Sequence, residues 1–126
     1  MKLLLDTHIL LWSLVDGRRL SRREIAALAD PNNRLFVSVV SFWEIAIKSR
    51  DGRLEAPDDL VRRVGAISRL EILQVGADHA WRVRSLPTLH RDPFDHLLIA
   101  QAMCENMTLV TRDAMMKRYE VPVFGR

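Results

Sequence analysis

Residues 2–15 read KLLLDTHILLWSLV, and the way they divide decides the architecture. The run KLLL is too short for a helix and stops at a carboxylate, Asp6; a second apolar segment, with helical spacing, begins at residue 8. A short apolar run closed by a polar residue reads as a buried strand, and the segment after it as the helix leaving its carboxyl end. The pattern recurs along the chain. RLFVSVV (34–40), LEILQV (70–75), MTLVT (107–111) and VPVF (121–124) read as further strands. Helical spacing covers 8–15, 21–29, 41–50, 58–68, 77–85, 93–105 and a short piece near 113–118. Strands alternating with helices predict an α/β fold: a three-layer α/β/α sandwich around a mostly parallel central sheet of about five strands, because parallel neighbours need crossovers. Such sheets bind ligands beyond the carboxyl ends of their strands.

The chain has 126 residues, 48% hydrophobic and 28% charged, which suits one domain spanning 1–126 and is unlike a disordered chain. The loops VDGRR, ADPNN and RDGRLEAPDD carry turn residues, and none reads as an interdomain linker. Apolar runs such as ILLW and LLIA are far below bilayer length and no cleavable signal is visible, so no membrane association and a cytoplasmic location are expected. With Cys104 as the only cysteine, an intrachain disulfide and a cysteine-based zinc site are excluded; its apolar helical surroundings predict a core thiol.

Nineteen Lys+Arg against sixteen Asp+Glu leave a net charge of +3, and the basic residues crowd the first half of the chain. Arg22, Arg23, Lys48 and Arg50 are the residues expected to hold substrate phosphates. A solvated face is the plainer account of the same run.

The acidic residues follow the strand scheme. Asp6 closes the first strand and Asp113 follows LVT with Arg112 between; Glu44 and Asp95 sit in first turns of helices that follow strands. Each has an innocent explanation. SFWE (41–44) reads as a capping box, with Ser41 as N-cap and Glu44 reaching back; DPFD (92–95) places Asp92 at N-cap, Pro93 at N1 and Asp95 at N3. Asp113 can cap the last helix, and Asp6 the helix 8–15. Capping does not predict four acids from distant parts of the chain arriving at one sheet edge, where like charges repel unless a cation neutralises them. Carboxylate ligands suit Mg²⁺ or Mn²⁺, and His8, His79, His90 and His96 form no spaced ligand pair that would favour zinc. A hard cation with open coordination sites is equipment for cutting a phosphodiester.

LLLDTHILLW, VSVVSFWEIAIK, HRDPFDHLLIAQA and LVTRDAMMKRYEVPVF together resemble, in order and over nearly the whole chain, PIN-domain ribonucleases, and within them the VapC-type toxins of prokaryotic toxin-antitoxin pairs. The resemblance implies a PIN-like sandwich and a Mg²⁺- or Mn²⁺-dependent endoribonuclease. It places metal-binding and catalytic acids on Asp6, Glu44, Asp95 and, less uniformly required, Asp113. It also implies a cognate antitoxin and a toxin homodimer; helix 8–15, apolar on nearly all sides, is compatible with a partner surface or with deep burial. Asp92 then remains the helix cap beside Asp95, and Thr7 and Thr111 can assist through their hydroxyls. Relatives commonly carry arginine at the position of His96, an aromatic residue at Met115 or Met116, and tryptophan at the end of the chain.

Rival readings fit less well. A phosphoacceptor receiver domain wants an acidic pair after its first strand and a lysine after its fifth, whereas Asp6 stands alone and the last strand ends FGR. An aspartyl-nucleophile phosphatase needs an aspartate at the position of His8. A structure-specific DNA nuclease could use the same acids, but no helix-hairpin-helix or long clamp segment is present, so RNA is the expected substrate.

Overall fold

A computed structural model describes residues 1–125. Four parallel strands form one sheet: β1 (Lys2–Leu5), β2 (Arg34–Ser38), β3 (Leu70–Leu73) and β4 (Thr108–Val110), in the order β3-β2-β1-β4. The helices are α1 (Thr7–Val15), α2 (Arg22–Ala29), α3 (Val39–Arg50), α4 (Leu60–Gly65), α5 (Ala77–Arg82) and α6 (Pro93–Glu105). Strand periodicity sorts the core into two sides. Leu3, Leu5, Leu35 and Val110 face Ile9 of α1 and Ala27 of α2, while Val37 packs with Leu10, Ile45, Leu60 and Val64 from α1, α3 and α4. Leu4, Phe36 and Leu109 face the opposite way onto Leu98, Ile99 and Ala102 of α6. Helices cover both faces, as a parallel sheet requires.

The expected fifth strand, 121–124, is a single parallel bridge, Leu109 to Val123, so the sheet has four strands and not about five. Leu109 N donates to Pro122 O (2.9 Å) and Phe124 N to Leu109 O (2.8 Å), but Val121 N turns to Tyr119 O (2.9 Å) and the ladder stops. Pro122 lacks the N–H that would point out from the sheet margin, which suits an edge.

Two local expectations fail. Helix α3 begins at Val39, not at Ser41: Ser38 is its N-cap, accepting from Val40 N (3.0 Å). Strand β2 therefore ends earlier than predicted, and Val40 enters the helix with its side chain in the α6-side core. Ser41 and Glu44 lie inside α3 and the predicted capping box does not form. Cys104 is half-buried at the end of α6, near the Asp78 carbonyl, and is not a core thiol. Helix α1 owes much of its apolar character to burial, with Thr7, Ile9, Leu10 and Leu11 enclosed. No helix among the described residues is long and apolar enough to cross a membrane.

The strand order sets the site. Connections leave β1 toward β2 and β3, and α6 carries the chain back over the sheet to β4 on the other side of β1. The β1/β4 boundary is thus a topological switch point, where a crevice opens beyond the carboxyl ends of the strands.

Candidate metal-binding and nuclease site

Asp6 lies one residue beyond Leu5, which pairs with both Val37 and Val110, so the register brings Asp6 level with Ser38 and Thr111. Its amide continues the sheet by donating to Val110 O (3.0 Å). The side chain caps α1, Oδ1 accepting from Ile9 N (2.8 Å), and Oδ2 accepts from the Thr111 hydroxyl. Asp6 is both the predicted cap and a buried acid at the switch point. Burial pushes its carboxyl above the usual range and Glu44 adds to the rise, while the Thr111 and Ile9 hydrogen bonds and His8 oppose it.

Released from the predicted capping role, Glu44 is 3% exposed and turns toward α1. Thr7 Oγ1 donates to its Oε1 (2.6 Å) and lies 3.0 Å from Ser41 Oγ. Lys48, one turn along α3, donates to Oε2 (2.5 Å). Lys48, expected on substrate phosphates, is therefore held against an acid of the site. Arg50 sits at the end of α3 and pairs with Asp51 in solvent. Arg22 and Arg23 are exposed on α2, and the Arg23 guanidinium lies over the Phe124 ring at 5.8 Å.

Helix α6 starts as predicted: Asp92 Oδ1 accepts from Phe94 N (2.9 Å) and Asp95 N (3.4 Å), with Pro93 at the first position. Asp95 is thereby held at the helix mouth, 8% exposed. Its carboxyl is pushed up to about 7, first by burial and then by the Asp92 charge, with Glu44 and Asp113 in the same direction and a hydrogen bond from His90 opposing. Asp113 Oδ1 accepts from Met115 N (2.8 Å) just ahead of the short 3₁₀ turn Met116–Arg118, which has no side-chain cap, and Oδ2 lies 3.8 Å from His90 Nε2.

The structure thus brings all four predicted acids to one sheet edge, linked through mutual charge: Asp6 senses Glu44, and Asp95 senses Glu44 and Asp113. These four acids offer carboxylate oxygens, and three of the four are buried. Crowded, desolvated carboxylates fit a hard divalent cation, which would neutralise them.

Sequence reasoning missed two residues. His90 Nε2 lies at hydrogen-bond distance, 2.7 Å, from Asp95 Oδ2, and its place in the site depends on the fold of the 86–92 loop, which no spacing rule reveals. Arg112, which the sequence marks only as the residue between LVT and Asp113, clasps Glu24 of α2 with Nε (3.0 Å) and Nη2 (2.5 Å), donates to Arg19 O, and lies 4.9 Å over the Trp12 ring. A cleft of about 310 Å³, lined by Asp6, His8, Trp12, Arg112 and Asp113, opens beside the acids. An aromatic wall, a guanidinium and carboxylates around one cleft offer stacking, phosphate pairing and cation binding together.

Residues 3–122 match the PIN domain family model. The chain is 27% identical over 130 residues to Ribonuclease VapC22 of Mycobacterium tuberculosis, covering 94% of this chain and 92% of that protein. Among solved structures, VapBC2 from Rickettsia felis, bound to a DNA fragment from their promoter, superposes with a TM-score of 0.72 at 23% identity, covering 98% of this chain and 96% of that one. A toxin-antitoxin complex from Klebsiella pneumoniae gives a TM-score of 0.54 at 24% identity, covering 87% and 85%.

Proposed function

The chain belongs to the PIN domain family, and from that premise we propose that it is a metal-dependent endoribonuclease, the cytoplasmic toxin of a type II toxin-antitoxin pair, with Asp6, Glu44, Asp95 and Asp113 holding Mg²⁺ or Mn²⁺. The observation that carries the reading is the convergence of these acids, three of them buried, at the β1/β4 switch point. The ribonuclease relative supports RNA as substrate and the solved toxin-antitoxin complex supports an antitoxin partner. The strand order β3-β2-β1-β4 also departs from the 2-1-3-4-5 order of receiver domains, which removes the ground for a signalling role.

Bound among the acids, the cation supplies charge neutralisation for the scissile phosphate and Lewis acidity toward the attacking water. The chain's own groups set the geometry. Thr111 and the Ile9 amide fix both oxygens of Asp6; Thr7 fixes one oxygen of Glu44; the Asp92 cap fixes the backbone from which Asp95 projects. Arg22 and Arg23 draw the RNA backbone toward an edge whose acids by themselves repel it. A homodimer completes the proposal. Trp43, 55% exposed and edge-on to Phe94 at 5.0 Å, offers an aromatic contact surface beside Asp95 for a second copy or for the antitoxin.

Incubation of the purified protein with cellular RNA tests the activity. Cleavage is expected to stop in EDTA, to return with Mg²⁺ or Mn²⁺, and to be absent from Asp6→Asn prepared in parallel. Cleavage undiminished by EDTA and absent from the parallel Asp6→Asn preparation overturns metal dependence, and cleavage of DNA alone overturns the RNA assignment. Sequencing of new RNA 5′ ends after brief expression identifies the RNA class.

A further inference from the structure

We infer that His90 is a nitrogen ligand of this metal centre, giving it a mixed imidazole and carboxylate donor set that favours Mn²⁺ over Mg²⁺. The inference rests on the metal-dependent reading above and deepens it.

Three placements carry it. His90 Nε2 lies 2.7 Å from Asp95 Oδ2 and 3.8 Å from Asp113 Oδ2, and one ligand atom from each of the three residues falls within 4.8 Å of the others. Neighbouring ligands of a six-coordinate ion at Mg²⁺-like bond lengths sit about 3 Å apart and opposite ones about 4 Å apart, and both His90 distances fall near that range, so its Nε2 is spaced to share a cation with either aspartate. The imidazole is also built into the site. Tyr119, buried at 2% exposure, takes the amides of Leu89 (3.1 Å) and His90 (3.0 Å) on its hydroxyl, and His96 Nε2 donates to the His90 carbonyl (2.5 Å). A loop pinned at both the amide and the carbonyl of His90 holds the ring where metal binding needs it.

The ring nitrogens supply the third argument, through a contrast with His79. His79 also stands in a three-residue group, with Asp78 and Glu105. There the Gly76 amide donates to Nδ1 (2.9 Å), so the neutral ring carries its proton on Nε2 and donates it to Glu105 (3.0 Å). No lone pair remains, and that group is a tie between α5 and α6. Around His90, Nε2 faces carboxylate oxygens, and among the described residues Nδ1 has no hydrogen-bond partner. With the ring proton on Nδ1, which no protein acceptor contests among the described residues, the Nε2 lone pair is available to a cation. Mg²⁺ is selective for oxygen, whereas Mn²⁺ lies on the first-row series for which imidazole is a good ligand.

Electron paramagnetic resonance of the Mn²⁺-loaded protein tests this without reference to activity. The pulsed spectrum of the wild type is expected to show a directly coordinated ¹⁴N, replaced by ¹⁵N when histidine alone is ¹⁵N-labelled. His90→Gln is expected to lose that coupling and to bind Mn²⁺ about tenfold more weakly, in line with the cost of disturbing a metal centre's histidine, with Mg²⁺ affinity affected less. Full Mn²⁺ occupancy with no nitrogen coupling in the wild type overturns the inference and leaves the metal-dependent reading standing, as does coupling that persists in His90→Gln. No Mn²⁺ binding by folded wild-type protein overturns both. If that variant does not fold, a wild-type spectrum without nitrogen coupling still overturns the inference.

Discussion

Lys48 Nζ lies 2.5 Å from Glu44 Oε2, one helical turn away on α3, and gives this one acid of the site an internal counter-cation. Glu44 is almost fully buried while the Lys48 side chain is 25% exposed, so removing the ammonium strands a buried carboxylate that, among the described residues, retains only its Thr7 hydrogen bond. Lys48→Met is therefore expected to lower metal-free stability by about 1–3 kcal/mol, the cost of leaving a buried polar group short of a partner. Added Mg²⁺ or Mn²⁺ then raises the melting temperature more in the variant than in the wild type, because the cation takes over the missing charge. Equal metal-free melting of the two proteins counts against the pair.

Asp95 faces the His90 imidazole in place of a lysine, and its burial makes stability depend on pH. Its folded pKa of about 7 lies above the ordinary 3.8, so between those values the folded protein keeps a proton that the unfolded chain has released. That stability is fully present below the unfolded value and is lost as pH rises through about 7; Asp6, also shifted upward by burial, acts in the same sense. Glu24, held below the usual carboxylate range by Arg112, works the other way and loses its contribution at lower pH. Thermal melts of the metal-free protein between about pH 5 and pH 8 should therefore show stability falling as pH rises. Saturating Mg²⁺ should raise stability more at pH 8 than at pH 5, and Asp95→Asn should flatten the slope. A wild-type profile that rises with pH contradicts the crowding of the acids.

The Asp92 charge and the Asp92 cap are separable. Asp92→Ala removes the acceptor for the Phe94 and Asp95 amides and should cost about 0.5–2 kcal/mol. Asp92→Asn keeps an acceptor and should melt close to wild type, while removing the charge that, after burial, does most to raise the Asp95 carboxyl. Its pH-stability profile should then turn over at lower pH than the wild type's. Identical profiles for Asp92→Asn and wild type would remove Asp92 from the electrostatics of the site.

Salt distinguishes a phosphate-holding surface from a solvated one. Binding of RNA to the Asp6→Asn protein should weaken as salt rises, and neutralising Arg22 and Arg23 should lower the log–log slope by about one unit for each phosphate that is no longer held. The Arg50→Gln protein is the comparison, since Arg50 is paired with Asp51 at the far end of α3. A slope indifferent to the charges of Arg22 and Arg23 returns that stretch to solvent.

What the sequence determined by itself is local. Short apolar runs closed by polar residues marked β1 to β4, and Asp92-Pro93 marked the start of α6, because hydrophobic period and capping act within a few residues. Alternation of strand and helix was then enough to assign Asp6, Glu44, Asp95 and Asp113 to one edge of the sheet. The tertiary structure decided whatever depends on partners distant in the chain. Helix α3 starts at Val39 because Val40 packs into the α6-side core, which moved Glu44 from a capping role to Thr7 and Lys48. His90 enters the site because the buried Tyr119 hydroxyl, 29 residues on, pins its loop. Arg112 reaches Glu24 across a separation of 88 residues. Such pairs leave no trace in period or spacing, since their formation depends on the relative positions of whole elements, set by packing of the completed core.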